Sequence, residues 1–229
     1  MPLIRDIAPF ADRLDAGRQL ARALQHLADD TGILVLALPR GGVPVAFPVA
    51  AALKAELDLM LVRKLGMPHH PEYAMGAIGS DGVRLLHPGV PGLMGVTGED
   101  VDAVTRVEQD ELERRARRYR GARAPAVLTG RTVVLVDDGI ATGASMGVAI
   151  EVARSHATAR LVVATPVAAS DALRRLRAQA DEVVCLMAPP RFRAVGQWYA
   201  RFDQTGDDEV QDFLAQAWNA TPGQSTSRT

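Results

Sequence analysis

The chain has 229 residues, 48% of them hydrophobic, and a formal net charge of −1 at pH 7. This length allows one substantial hydrophobic core, and the near-neutral charge gives no global reason to expect nucleic acid or an anionic membrane as a partner. The single Cys185 excludes an internal disulfide framework and a cysteine-based metal cluster, and the lack of a signal-like or membrane-length apolar stretch predicts a cytoplasmic protein.

The first predicted elements are a packing helix and a buried strand. Leucines at mostly helical spacing run through Ala11–Ala28, with Asp12 as an early cap. The apolar run Ile33–Leu38 then predicts a strand that leads into residues 39 to 42 and an apolar helix to about Lys54. The connection contains an arginine and a glycine pair, so its backbone is open to close approach by an anion. The alternative is an ordinary turn between strand and helix.

A second strand is predicted over Glu56–Lys64, and it ends in two adjacent cations, Arg63 and Lys64. Ligand sites collect at the carboxyl ends of parallel strands, where a cation pair suits a polyanion. A solvated strand end is the alternative interpretation.

A segment rich in glycine and proline follows and predicts a hairpin. Its strands, Glu72–Ile78 and Val83–Leu86, turn at residues 79 to 82. His69 and His70 precede the hairpin. Paired histidines in a loop are more often solvent-facing than catalytic, so we assign them no role.

One long helix is predicted over Gly98–Arg120, with acids in its first turns and arginines in its last, the order that the helix dipole favours. Glu111 and Glu113 each lie four residues before an arginine, at the spacing of a favourable ion pair. The interpretations are a solvated, salt-bridged helix or a subunit contact in a homodimer. Aromatic residues are limited to Tyr119, which argues against an RNA-binding surface.

The strongest signal is the strand Thr132–Val136, followed by two carboxylates, a loop of small residues and an apolar helix over 146–153. The first N–H groups of a helix lack internal partners and favour a negative charge, and small residues let a phosphate approach. The carboxylates Asp137 and Asp138 suit sugar hydroxyls or Mg²⁺. The pattern therefore predicts a phosphorylated sugar as ligand; a plain strand-to-helix connection with a cap is the alternative.

Two further strands are predicted, over Arg160–Thr165 and Glu182–Met187. A helix between them begins near a capping Ser170 and runs to Gln179. Strand and helix alternate through the chain, which predicts a doubly wound parallel sheet with ligand loops at the carboxyl ends of its strands. A last amphipathic helix is expected over Asp207–Trp218.

The run from Val133 to Ser145 resembles the phosphoribosyl pyrophosphate (PRPP) motif of type I phosphoribosyltransferases: an apolar strand, two acids, then a Thr-Gly-x-Ser loop. The resemblance implies an α/β fold with a doubly wound, mostly parallel sheet flanked by helices, a flexible hairpin and a small C-terminal hood. We expect a single domain over residues 1–219, with an inserted helix at about 98–120, a hood at about 188–206 and a disordered tail at 220–229.

The resemblance also implies roles for individual residues. Asp137 and Asp138 would hold the ribose hydroxyls, with Mg²⁺ held mainly through PRPP near this pair. The 5-phosphate would be bound by a loop of small and hydroxyl-bearing residues, namely Gly139, Ile140, Ala141, Thr142, Gly143, Ala144 and Ser145. The pyrophosphate would be bound, in the family often at a non-proline cis peptide, by Arg40, Gly41, Gly42, Arg63 and Lys64. The three cations among these would be catalytic, because they would stabilise the departing pyrophosphate.

Aromatic residues are concentrated in the expected hood. Phe192, Trp198, Tyr199 and Phe202 could form a stacking surface for a flat acceptor. Equally, they could anchor the C-terminal segment to the core.

The function implied by the resemblance is transfer of phosphoribosyl from PRPP to a small nitrogenous acceptor, with release of pyrophosphate. Enzymes for 6-oxopurines usually carry an acid three residues after the second motif aspartate, where this chain has Ala141. Hypoxanthine and guanine are therefore disfavoured. The alternatives are a regulatory protein that senses PRPP or a nucleotide, and hydrolysis of a phosphorylated sugar derivative.

Overall fold

A computed structural model describes residues 10–68, 70–89, 92 and 95–220 of the protein. The α-helices are α1 (Arg13–Ala23), α2 (Gly42–Leu53), α3 (Gly98–Arg120), α4 (Ala144–Ser155), α5 (Ser170–Leu176) and α6 (Asp207–Ala220). The strands are β1 (Leu34–Ala37), β2 (Glu56–Leu59), β3 (Val62–Met67), β4 (His70–Gly79), β5 (Arg84–Leu86), β6 (Thr132–Val136), β7 (Arg160–Val167) and β8 (Glu182–Met187).

The central sheet has five parallel strands in the order β2-β1-β6-β7-β8. The chain moves outward from β1 to β2, returns to β6 on the other side of β1 and then continues outward in the opposite direction. In such a sheet the ligand crevice lies where the order reverses, outside the carboxyl ends of the two strands concerned. The fold therefore places the expected crevice after β1 and β6.

Helices cover both faces of this sheet, because its strands are apolar on both sides. Val134 and Val136 pack with α1, α2, α3 and α6 on one face, whereas Val133 and Leu135 pack with α4 and α5 on the other. All four side chains are fully buried. Burial of each such side chain contributes about 1.5 to 3 kcal/mol. The predicted doubly wound α/β fold is confirmed.

A second, antiparallel sheet is formed by β3, β4 and β5. It confirms the predicted hairpin, but the single strand predicted over residues 56 to 64 is wrong. That segment divides into β2, which pairs with β1, and β3, which leaves the central sheet and pairs with β4. Arg63 and Lys64 consequently belong to the hairpin sheet and do not end a parallel strand.

Helix α3 has the predicted bounds. Thr97 and Asp100 form a capping box at its start, and Glu111 accepts a hydrogen bond from Arg115 at 2.6 Å within it. At its end Arg120 is buried against Asp58 of β2, with 2.8 Å between Nε and Oδ1. This ion pair attaches the helix to the central sheet.

Other predicted boundaries fall close to the observed ones. Asp12 caps α1 as expected, but the predicted cap at Ser170 is wrong: Ser170 is the first residue of α5, and Ala169 at the cap position has no side chain that accepts a hydrogen bond.

No helix within the described parts of the chain is long and apolar enough to cross a membrane. Of the predicted tail, only Ala220, which ends α6, lies among the described residues.

Candidate active site at the switch point of the sheet

The loops after β1 and β6 contact each other at the switch point of the sheet. A Cβ atom added to Gly41 would lie 2.0 Å from Oδ2 of Asp138, and one added to Gly42 would lie 2.6 Å from the carbonyl oxygen of Val136. Only glycine permits this approach at either position. The peptide bond between Pro39 and Arg40 is cis, as the resemblance implied for this loop.

The two acids after β6 differ in their surroundings. Asp138 accepts a hydrogen bond from Nε of Arg13 at 2.7 Å, and both side chains are largely buried. The Arg13 guanidinium also lies 3.8 Å from the centre of the Phe202 ring and donates to the carbonyl oxygen of Asp203 at 2.6 Å. Asp137, in contrast, lines the open cavity described below.

Burial raises the pKa of both carboxyls, because it disfavours the charged forms. The neighbouring charge of Asp138 raises the pKa of Asp137 further, whereas a hydrogen bond from the backbone N–H of Asp138 opposes this shift. For Asp138, the Arg13 guanidinium opposes the effect of burial. Arg13 thus holds the second acid in place beside Asp137, a role for which the sequence offered no signal beyond an arginine in the first turn of a helix.

The predicted phosphate loop divides into an anchored part and an exposed part. Ile140 is buried, and its N–H and C=O are bonded to Val167 and Ala169 at 2.9 Å each. A Cβ on Gly139 would lie 2.3 Å from Val195, which covers it. The exposed part consists of Ala141, Thr142, Ala144 and Ser145 around Gly143.

Helix α4 begins in this exposed part. Gly143 occupies the position before the helix with a φ of 76°, a conformation that L side chains rarely adopt. Ala144 and Ser145 at the start of α4 are exposed, so an anion can reach this helix terminus, where the N–H of Ala144 now donates to Oγ1 of Thr142 at 3.3 Å. The exposed part of the predicted phosphate loop is thus residues 141 to 145.

A cavity of about 830 Å³ connects this helix terminus to the hairpin sheet. Its volume is within the range of small-molecule sites. Asp137, Ala144 and Ser145 line one side, and Arg63 and Lys64 line another. A third side is lined by six residues of α3, namely Ala103, Val104, Val107, Glu108, Leu112 and Arg115.

The three predicted catalytic cations have different positions. Lys64 lines the cavity. Arg63 also lines it, and its Nε lies 2.5 Å from Oε2 of Glu108 on α3. Arg40 is not among the lining residues; its Nη1 lies 3.6 Å from Oδ1 of Asp207 at the start of α6. The structure brings two of the three cations to the cavity and directs the third towards α6.

The aromatic residues of the expected hood pack against one another. Tyr199 is buried, lies 5.4 Å from the Phe10 ring and 4.9 Å from the Phe202 ring, and donates from Oη to the backbone carbonyl of Asp138 at 2.5 Å. Phe192 and Trp198 are partly buried against the same cluster. None of these four C-terminal aromatics lines the 830 Å³ cavity. Their packing corresponds to the anchoring interpretation.

The two histidines have no place in the cavity wall that the structure describes. His69 lies outside the described residues. His70 begins β4, is exposed, and its ring centre lies 6.2 Å from that of Tyr73.

The described residues contain no group of three or more histidine, cysteine or acidic side chains that could hold a metal ion. With Asp138 bonded to Arg13, the loop after β6 presents Asp137 at the cavity. This arrangement fits a Mg²⁺ ion that takes most of its ligands from substrate phosphates and one from the protein.

Comparisons with known proteins agree on one family. The sequence profile of the phosphoribosyl transferase domain matches residues 10–200. Proteins from two strains of Mycobacterium tuberculosis, provisionally named phosphoribosyl transferases, are 52% identical over 208 residues, which cover 91% of this chain and 47% of theirs. The chain thus spans about half the length of these curated relatives. The crystal structure of TT1426 from Thermus thermophilus matches with a TM-score of 0.83 and 44% identity, over 91% of this chain and 98% of that one.

Proposed function

The chain belongs to the phosphoribosyl transferase family, and from this we propose that it transfers a 5-phosphoribosyl group from PRPP to a small nitrogenous acceptor and releases pyrophosphate. One observation carries the proposal: a single cavity is lined by the carboxyl group of Asp137, by the exposed start of a helix at Ala144 and Ser145, and by the cations Arg63 and Lys64. These are the groups needed for ribose hydroxyls, a phosphate monoester and a pyrophosphate.

PRPP would bind with its 5-phosphate at residues 141 to 145, where Thr142 and Ser145 can donate hydrogen bonds along with the first N–H groups of α4. Asp137 would accept hydrogen bonds from the ribose hydroxyls. The pyrophosphate would then lie towards Lys64 and the backbone of Gly41 and Gly42. Asp138 is hydrogen-bonded to Arg13 and lies directly against Gly41, so it supports the loop that contains Gly41 and Gly42.

In the reaction the bond between the anomeric carbon and pyrophosphate breaks, and pyrophosphate leaves with the electron pair. A lone pair of the acceptor nitrogen forms the new carbon–nitrogen bond, and the proton on that nitrogen passes to solvent. Negative charge grows on pyrophosphate as the bond breaks. Lys64 and Arg63 would stabilise this charge, since preformed cations lower the energy of the developing anion.

Mg²⁺, when bound, would supply charge neutralisation at the phosphate oxygens. Asp137 is the residue of this chain that we expect to contact it. Arg40 and Arg63 would have to exchange their present acidic partners, Asp207 and Glu108, for pyrophosphate oxygens. We also propose that the acceptor is not a 6-oxopurine, since Ala141 lacks the carboxylate that would assist that ring.

The test is incubation of the protein with PRPP, Mg²⁺ and a pooled set of bases and small amines, with pyrophosphate release and mass spectrometry as readouts. We expect a phosphoribosyl adduct that is lost in Asp137→Asn. Asp171→Asn is the matched control, because Asp171 is 72% exposed on α5 and makes only a local ion pair with Arg174. An adduct formed equally by both variants would contradict the assignment of Asp137.

The regulatory alternative is favoured by one observation: Arg40 and Arg63 are both engaged by acids of the protein itself. A sensor could bind PRPP or a nucleotide without breaking this arrangement. Saturable PRPP binding with no pyrophosphate release from any pooled acceptor would select this alternative, whereas a phosphoribosyl adduct would exclude it.

A further inference from the structure

Helix α5 lies directly against the predicted phosphate loop. A Cβ atom added to Gly143 would lie 3.4 Å from Cβ of Ala172 and 3.9 Å from Cδ1 of Leu176. Both of these α5 residues are buried. The N–H of Ala169, the residue before α5, donates to the carbonyl oxygen of Ile140 at 2.9 Å. One side of the loop is therefore packed against α5.

A side chain of α5 also binds the backbone of this loop. Nη2 of Arg175 donates a hydrogen bond to the carbonyl oxygen of Thr142 at 2.8 Å, and both residues are exposed. The preceding residue, Arg174, has a different partner, since its Nη2 donates to Oδ1 of Asp171 within the helix at 2.7 Å. Arg175 thus contacts the loop, whereas its neighbour pairs within α5.

The bond from Arg175 fixes the direction of a peptide group. The C=O of Thr142 and the N–H of Gly143 belong to one peptide unit, and in a planar trans unit these two groups point in opposite directions. The unit is trans, because the cis peptide bond found in the described part of the chain is the one between Pro39 and Arg40. Since Arg175 holds the C=O, the N–H of Gly143 points to the side opposite the guanidinium.

Local backbone preference does not fix this direction. Gly143 has a φ of 76°, and glycine adopts positive and negative φ about equally well. The peptide before a glycine can therefore rotate more freely than the peptide before another residue. A contact from outside the loop is needed to select one orientation, and the hydrogen bond from Arg175 provides it.

We propose that Arg175 is a positioning residue for the 5-phosphate of PRPP. It orients the peptide between Thr142 and Gly143 so that the N–H of Gly143 donates to a phosphate oxygen. The guanidinium acts through this peptide and does not touch the phosphate. This inference rests on the proposed function and adds to its phosphate site a residue that lies outside the motif.

The experiment compares Arg175→Met with Arg174→Met. Each substitution removes one positive charge from α5, but the first also removes the hydrogen bond to the loop. Both variants should keep the Tm of the unmodified protein within about 2 °C, because both side chains are exposed. Calorimetry then measures the binding of two ligands: ribose 5-phosphate, which carries the 5-phosphate alone, and pyrophosphate with Mg²⁺.

Arg175→Met should weaken the binding of ribose 5-phosphate about threefold to tenfold, the effect of one lost hydrogen bond, and leave pyrophosphate binding unchanged. Arg174→Met should change neither affinity. Arg175→Lys should recover most of the lost affinity, because a lysine can donate the single hydrogen bond that this contact requires.

Nuclear magnetic resonance observes the peptide directly. In isotope-labelled protein the amide proton of Gly143 should shift downfield when ribose 5-phosphate is added, since an N–H that donates to a charged phosphate oxygen forms a strong hydrogen bond. Arg175→Met should reduce this shift, and Arg174→Met should preserve it. A Gly143 signal that does not respond to the ligand, or that responds equally in both variants, would refute the positioning role.

The outcomes separate this inference from the transferase proposal. Equal weakening of both ligands by Arg175→Met, or weakening of neither, would overturn the positioning role, and a phosphoribosyl adduct would still support transfer. Selective loss of ribose 5-phosphate binding in a protein that forms no adduct would retain the role and overturn the transferase proposal. A protein that binds PRPP but no ribose 5-phosphate would overturn the inference, and one that binds neither would overturn both proposals.

Discussion

Replacement of Arg13 by methionine tests whether this residue positions the second acid of the site. The substitution keeps the length and apolar stem of the side chain, and it removes the guanidinium that donates to Asp138 at 2.7 Å. The side chains of Arg13 and Asp138 are 11% and 14% exposed, so water has little access with which to replace the lost partner. Asp138 would then be left without its cation in a largely buried site, where its charged form is disfavoured and its pKa rises further.

Loss of one partner of a buried ion pair destabilises a protein by about 3 to 5 kcal/mol. For a chain of this size, 1 kcal/mol corresponds to a change in Tm of about 2 to 4 °C, so Arg13→Met should lower Tm by about 6 to 20 °C. Thermal and urea unfolding, followed by circular dichroism, measure this change. Arg174→Met is the control, because Arg174 is 70% exposed and its pair with Asp171 should contribute at most about 0.5 kcal/mol.

The double variant Arg13→Met/Asp138→Asn tests whether the unpaired acid Asp138 causes the loss of stability in Arg13→Met. With the uncompensated charge removed, its stability should exceed the value obtained when the two single effects are added. Strict additivity, or a loss below about 1 kcal/mol for Arg13→Met alone, would refute the argument that Arg13 balances a buried Asp138.

Two further predictions concern the glycine loop and the start of α6. Gly41→Ala should weaken PRPP binding by about tenfold or more, since the added Cβ would lie 2.0 Å from Asp138 and displace the loop. Titration calorimetry with PRPP measures this change. Gly147→Ala is the control and should bind PRPP normally, because its Cβ would meet nothing closer than 3.8 Å. The hydrogen bond from Tyr119 lowers the pKa of Asp207 below its ordinary 3.8. This hydrogen bond therefore stabilises the fold fully above pH 3.8, and its contribution is lost as the pH falls through the pKa that Asp207 has in the folded protein. Tyr119→Phe should therefore cost about 0.5 to 1.5 kcal/mol near neutral pH, since solvent screens the carboxylate of Asp207 at the surface. The cost should fade in urea unfolding at successively lower pH below 3.8, and a loss that does not change with pH would contradict this origin.

Elements whose signals are local in sequence were predicted with accuracy. The bounds of β6, β8 and α3 agree with the prediction to the residue. Uninterrupted apolar and β-branched residues define a strand buried on both faces, and the order of charges along α3 agrees with its dipole. The acid pair and the glycine-containing loop also follow from sequence, because strand, loop and helix terminus are adjacent in the chain.

The partners of the site residues were decided by tertiary structure. Arg13 and Asp138 lie 125 positions apart, and Arg63 and Glu108 lie 45 apart. Neither pair has a periodicity or motif that connects its members. The division of residues 56 to 64 between two sheets likewise depends on which strands are available for pairing with each half.

The sequence by itself therefore determined the family, the α/β fold and the position of the PRPP motif. Only the tertiary structure decided that α3 forms a wall of the cavity, that the C-terminal aromatics pack together and that Asp138 is held by Arg13. The physical reason is that helix and strand preferences act between neighbours in the chain. Side-chain partners, in contrast, depend on which elements the strand order of the sheet places next to each other, and these elements are distant in sequence.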